Sequence, residues 1–237
     1  MAYTDILPDP NNLITDSGKA IASGGGGEGF ASVSLSSTAP VMLDRTNSGR
    51  VISRAVAAQN WSIDIKYNPM TREQFEPVYN FILQRGRLTP FKVSLPQNKA
   101  PRDTDFATFV AATDGFSPIS NTNAGTNTLT FDKSGYTVAT NKTPLPGDLF
   151  NISDSNHHKT YRVTRVETTS DNSGAALGAN EVRIQFTPPL VKAVTLASSE
   201  LEFNNPMVRV LLASDVQQYS LNVSNLYSFS LKLEEAL

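Results

Sequence analysis

The chain has 237 residues, 39% hydrophobic and 18% charged, with 20 Lys and Arg against 22 Asp and Glu for a formal net charge of -2. This is the composition of a globular chain long enough to bury a core, as one large β domain or two small ones; the even charge balance excludes a general attraction to nucleic acid or anionic membrane. Cysteine is absent, which removes disulfides, thiolate metal sites and a cysteine nucleophile.

Residues 1–40 carry Pro8, Pro10, Asn11 and Asn12 and then the run Gly24 to Gly27, and read as an extended arm. A run of glycines buries no side chains and keeps large backbone freedom, so it reads as a linker. A phosphate-cradling loop needs a following Lys-Ser/Thr and a strand-to-helix setting, and neither is present. Ile6, Leu7, Leu13, Ile14 and Ile21 are too few for a core but enough to dock on a neighbour. The start of the chain lacks the basic and apolar pattern of a secretory signal, and no apolar run reaches membrane-spanning length. The expectation is a chain made and kept soluble in a cytoplasm, with no membrane insertion.

From residue 41 the pattern sharpens. VMLDRTNSGRVISRAV predicts two strands around a turn at Asn47, Ser48 and Gly49. Trp61, Ile63, Ile65 and Tyr67 then alternate with Ser62, Asp64 and Lys66, the period of a half-buried strand. Asn68 and Pro69 end it. Thr71 and Gln74 stand at capping-box spacing, Met70 and Phe75 at staple spacing, and Phe75, Val78, Tyr79 and Ile82 recur at helical spacing up to Gly86, a left-handed cap. A helix is predicted from about Thr71, despite Pro77. Phe91, Val93 and Leu95 follow on one face of a strand closed by Pro96. Residues 41–100 thus hold a hairpin, strands and one helix, with an apolar face left uncovered.

The cover lies at the far end. MVRVLL predicts a strand, and Leu221, Val223, Tyr227, Phe229, Leu231 and Leu233 fall at alternate positions, with Asn225 breaking the phase. Because two strands alone are marginal in water, residues 200–237 are predicted to pair into the sheet begun by residues 41–100. Residues 101–199 between them are rich in Thr, Asn, Ser, Gly and Asp, with NTLTF, GYTV, GDLFNI, KTYRVTRVET, NEVRIQF and VTLASSELEF as short strands. This is the rhythm of a small inserted β-barrel or sandwich.

Chemistry-bearing groups are sparse. His157 and His158 are the only histidines; adjacent, they point apart and make a poor metal pair. Asp148 and Asp154 are near enough in sequence to complete a hard-cation or zinc site, but a solvated turn is favoured. No nucleophile elbow accompanies the histidines. Arg85 and Arg87 flank Gly86 and Arg72 opens the helix: solvated, with Arg85 complementing the helix dipole, or contacting a neighbouring subunit. Trp61 leads an apolar face and reads as a core anchor rather than a sugar platform. No catalytic, cofactor or metal residue is assigned.

As a set, NWSIDIKYNPMTREQFEPVYNFILQRGRLTPFKV, LPGDLFNI, HKTYRVTRV, IQFTPPLVKAV and YSFSLKLEEAL resemble tailed-bacteriophage tail proteins of the minor-tail and distal-tail type. The resemblance implies a tail-tube-like β-sandwich with one α-helix, split in sequence by the small β domain. It further implies a non-enzymatic virion protein, assembled in the host bacterial cytoplasm as a homohexameric ring at the distal end of the tail tube or in the baseplate. Its partners would be copies of itself and other tail tube, baseplate and hub proteins, with no sequence-specific nucleic acid binding. The alternatives are a major tail tube subunit, a carbohydrate- or receptor-binding module, and a tail-associated hydrolase. An uncovered sheet edge fits the ring physically, since edges invite pairing and a heterologous interface that closes makes a cyclic oligomer.

Overall fold

A computed structural model of the chain describes residues 4–9, 29–55, 59–112, 115–133, 143–154, 157–171 and 173–237. It is mainly β. In chain order the strands and helices are β1 (Phe30–Thr38), β2 (Val41–Arg45), β3 (Val51–Ala55), β4 (Asn60–Tyr67), α1 (Arg72–Arg85), β5 (Phe91–Ser94), α2 (Thr104–Ala111), β6 (Thr128–Asp132), β7 (Leu149–Ser153), β8 (Thr160–Glu167), β9 (Glu181–Thr187), β10 (Glu200–Glu202), β11 (Met207–Leu212), β12 (Tyr219–Leu221) and β13 (Tyr227–Glu235). They divide into two compact units, Met1–Val93 with Arg209–Ala236, and Ser94–Val208 with Leu237.

The first unit is built on a sheet of order β1-β4-β13-β11-β5, with β12 paired to β13. The alternation in β4 buries Trp61, Ile63, Ile65 and Tyr67 and leaves Asp64 and Lys66 exposed. Strand β13 lies antiparallel beside it with Ile65 opposite Leu231 and Ile63 opposite Leu233, so the apolar rows of two segments far apart in sequence merge into one face. A one-residue slip would turn every one of those side chains to water, which is what holds the register.

Helix α1 covers that face. Its first turn is held by Gln74 Oε1, which accepts the Thr71 backbone N–H at 2.8 Å and the Thr71 hydroxyl at 2.9 Å, while Met70 is wholly buried beneath it. Gly86 ends the helix at φ 55°, a conformation that side-chain-bearing residues disfavour. Pro77 lies inside the helix, which continues through it to Arg85. Phe75, Val78, Phe81 and Ile82 are buried, with Phe75 stacked on Tyr227 at 4.5 Å and edge-on to Phe229 at 5.7 Å, and Phe81 edge-on to Phe91 at 5.5 Å. Each buried ring contributes on the order of 2 kcal/mol relative to exposure.

Two features correct the reading of residues 1–40 as an arm. Residues 30–38 are strand β1, paired with β4 so that Val33 lies opposite Ile65 and Leu35 opposite Ile63. Residues 4–9 also dock on the fold: Ile6 bridges Lys92 in parallel, Leu7 N–H donates to Lys92 O at 2.8 Å and Lys92 N–H to Asp5 O at 2.7 Å, and Leu7 is 1% exposed. The physical reason is that β5, the last strand of the sheet, has open backbone groups, and a short extended segment satisfies them as well as a strand would. The Gly24 to Gly27 run, Pro10, Asn11, Asn12, Leu13, Ile14 and Ile21 lie outside the described residues. The C-terminal pattern is also corrected at Val223, which sits fully exposed in the turn between β12 and β13, where Asn225 takes φ 57°.

The second unit has a sheet of order β10-β7-β8-β9-β6. Its core is aromatic, with Phe116 within 5.8 Å of Phe106 and 5.1 Å of Phe131, and Phe150 5.3 Å from Phe203. Helix α2 was not anticipated by the expectation of one helix. Its signals are in the sequence: Asp103 caps it by accepting the Phe106 N–H at 2.7 Å, and Phe106, Phe109 and Val110, at helical spacing, are its buried residues. The predicted strand GYTV lies outside the described residues, and VTLASSELEF contributes only β10, which pairs with β7; residues from 200 to 208 therefore belong with this second unit.

Candidate assembly surfaces

The two lateral edges of the first unit's sheet differ. At β5 the outer backbone groups of Lys92 are taken by Asp5 and Leu7. At β1, among the described residues, the only pairing is with β4 on one side. This edge strand spans nine residues, FASVSLSST, without a charge or a proline to deter another chain, and such an edge templates pairing.

Between β1 and β4 the chain leaves the sheet as the two-stranded ladder β2–β3, with Val41 opposite Ala55 and Arg45 opposite Val51. The turn takes Gly49 at φ 80° and is closed by Thr46 N–H to Arg50 O at 3.0 Å. Val41, Leu43 and Val51 share one face and Met42 and Ile52 the other, and their exposures run from 52% to 70%. An isolated hairpin is marginal in water and apolar side chains on both faces are costly there, so this element is built to be covered. With Arg45, Arg50 and Arg54 against Asp44, it presents net positive charge.

The chemistry-bearing residues do not converge. Asp148 is buried with its carboxylate on backbone N–H groups, Arg102 to Oδ1 at 3.0 Å and Leu145 to Oδ2 at 2.8 Å. Asp154 Oδ2 accepts from the Ser199 hydroxyl at 3.3 Å. Among the described residues no three His, Asp or Glu side chains gather as a metal-ion site, and no helix is long and apolar enough to cross a membrane. The solvated turn expected for the histidines holds for His158, which is exposed, but His157 is 7% exposed. Its Nε2 lies 2.6 Å from the Tyr161 hydroxyl, which also accepts the Val191 N–H at 3.2 Å. Which of the two atoms donates follows the imidazole tautomer. Burial pushes the His157 pKa down to about 4, with the Asp154 charge opposing and the Lys192 and His158 charges assisting.

The arginines around α1 are engaged within the unit. Arg72 pairs with Glu76 at 3.2 Å and Arg87 with Asp215 at 3.2 Å, while Arg85 donates to Thr4 O and lies 5.4 Å from the Phe81 ring centre. Two further tethers were invisible in the sequence. Tyr67 donates its hydroxyl to Pro8 O at 3.0 Å, with its pKa raised well above the usual value by burial and then by the Asp9 charge. In the second unit, Glu167 gathers Ser173 Oγ at 2.8 Å, Arg183 Nη1 at 3.1 Å and Arg165 Nη2 at 3.1 Å. The Ser173 hydroxyl first, and then the arginines, lower its pKa against the opposing effect of burial.

With a sheet edge paired on one side only and an apolar hairpin left exposed among the described residues, this β-rich chain has surfaces suited to a structural protein of an assembly. Residues 7–98 match the family described as distal tail protein pb9, A domain, N-terminal. Distal tail protein pb9 of Escherichia phage T5 is 30% identical over 217 residues, which cover 89% of this chain and 94% of that protein. The chain belongs to the distal tail protein pb9 family, and is a structural protein of a bacteriophage tail.

Proposed function

We propose that the protein forms a homohexameric ring at the distal end of the tail tube, around the lumen through which DNA passes, and acts by assembly without catalysing a reaction. The observation that carries this reading is the asymmetry of the first unit's sheet. Among the described residues, one lateral edge is closed from within the chain and the other is open beside an exposed hairpin, so the unmatched surface calls for a different surface on the next copy. That is a heterologous interface, which closes into a ring when its rotation permits. The first unit is the ring-building part in this reading, and the second is an insertion within it. The lumen takes the sheet's wet face, where Asp64 lies opposite Lys232 and Lys66 opposite Ser230. Balanced charges there leave little net pull on the phosphates of passing DNA.

Light scattering coupled to gel filtration tests the assembly: a particle six times the 25.7 kDa chain is expected. Replacing Met42 and Leu43 together by Asp should return it to a monomer with an unchanged circular dichroism spectrum. A wild-type chain that stays monomeric throughout the concentration series, or a ring indifferent to both substitutions, overturns this reading.

A further inference from the structure

We infer that the second unit holds a binding site for a single oxyanion, a phosphate or carboxylate carried on a saccharide, between Arg102 and Arg162. The two side chains reach the same spot from different elements. Where a side chain would begin on Gly147, the position lies 3.6 Å from Arg162 Nη2 and 3.7 Å from Arg102 Nη1. Gly147, at φ 105°, has no side chain to stand between the two guanidiniums.

The spot is built rather than incidental. The buried Asp148 carboxylate fixes the backbone N–H groups of Arg102 and Leu145. Gly147 N–H donates to Val163 O at 2.8 Å and Val163 N–H to Asp148 O at 2.9 Å, locking the turn against β8 beside Arg162. Arg102 Nη1 donates to Pro146 O at 2.9 Å, which orients its guanidinium; among the described residues its other side-chain donors have no partner.

Two guanidiniums converging on one point repel each other unless an anion lies between them. Arg165 on β8 and Arg183 on β9 share Glu167, whereas among the described residues neither Arg102 nor Arg162 has a carboxylate partner. Guanidinium pairs bind oxyanions by charge-assisted, often bidentate hydrogen bonds. The class of ligand follows from the surroundings. Arg162 is flanked on β9 by Thr187, with Gln185 next on the same side of the strand, groups suited to sugar hydroxyls. A duplex nucleic acid would call for a stripe of unpaired cations tracking many phosphates.

The test is an NMR titration of the full-length protein, following arginine Nε–Hε signals and the Gly147 amide. The probes are glucose 1-phosphate, glucuronate, inorganic phosphate and a short DNA duplex. Saturable shifts at Arg102 and Arg162 with a sugar anion are expected, tighter than with inorganic phosphate. Arg162→Gln and Arg102→Gln, both of exposed residues, should each weaken binding by about tenfold or more, and Lys192→Gln should not. No saturable shift with either sugar anion, equal binding by Arg162→Gln and wild type, or DNA or inorganic phosphate binding as well as the sugar anions overturns the inference. This result is independent of ring formation.

Discussion

Replacing Leu7 by alanine tests whether the first residues of the chain belong to the fold. Leu7 is 1% exposed and comes from a segment held to β5 by two backbone hydrogen bonds, at 2.8 Å and 2.7 Å. Truncating a fully buried leucine costs about 2 to 5 kcal/mol, from the lost transfer free energy and the cavity left behind. Because short docked segments relax more readily than strand interiors, a value near the lower end, about 3 kcal/mol, is expected; in a chain of this size it lowers Tm by about 6–12 °C. Trp61, the single tryptophan, is buried in the same unit, so urea unfolding followed by its emission reports that unit alone. Leu88→Ala is the control: Leu88 is 94% exposed, and its loss should fall within about 0.5 kcal/mol. Equal midpoints for the two variants would refute the docking of residues 4–9 and restore the arm.

Two further outcomes concern the second unit. The folded His157 titrates near 4 against an ordinary 6.5, so its contribution is present above pH 6.5 and is lost as pH falls from there toward 4. That makes the unit about 2 kcal/mol less stable at pH 5 than at pH 7, a slope that His157→Gln should abolish in thermal unfolding followed by circular dichroism. Glu167→Gln should destabilise the unit at neutral pH and speed amide exchange at Ser173. Since the Glu167 pKa is lowered, its stabilisation is present above the ordinary carboxylate range and is lost as pH falls through the folded value, so variant and wild type should converge in acid.

The sequence by itself determined the elements whose signals are local. The alternation of Trp61 to Tyr67, the Thr71 and Gln74 cap, the Gly86 stop and the turn at Gly49 are each set by neighbours within a few residues, and each is found where the pattern puts it. The partnership of the chain's two ends was legible too, because an apolar face with no local cover demands one and the row ending at Leu233 was the available match. Tertiary structure alone decided what polar backbone and single side chains do. Residues 4–9 and β1 are short or Ser-rich, and their place depends on unsatisfied groups of β5 and β4 that no composition reveals. His157 and His158 are neighbours in sequence with opposite fates, since burial is fixed by Tyr161 and the fold around it. The convergence of Arg102 and Arg162 on Gly147 joins residues sixty positions apart through a turn pinned by Asp148. Periodicity records which face of an element is dry, but hydrogen-bond and charge partners across the fold are matters of distance, and only the folded chain has those distances.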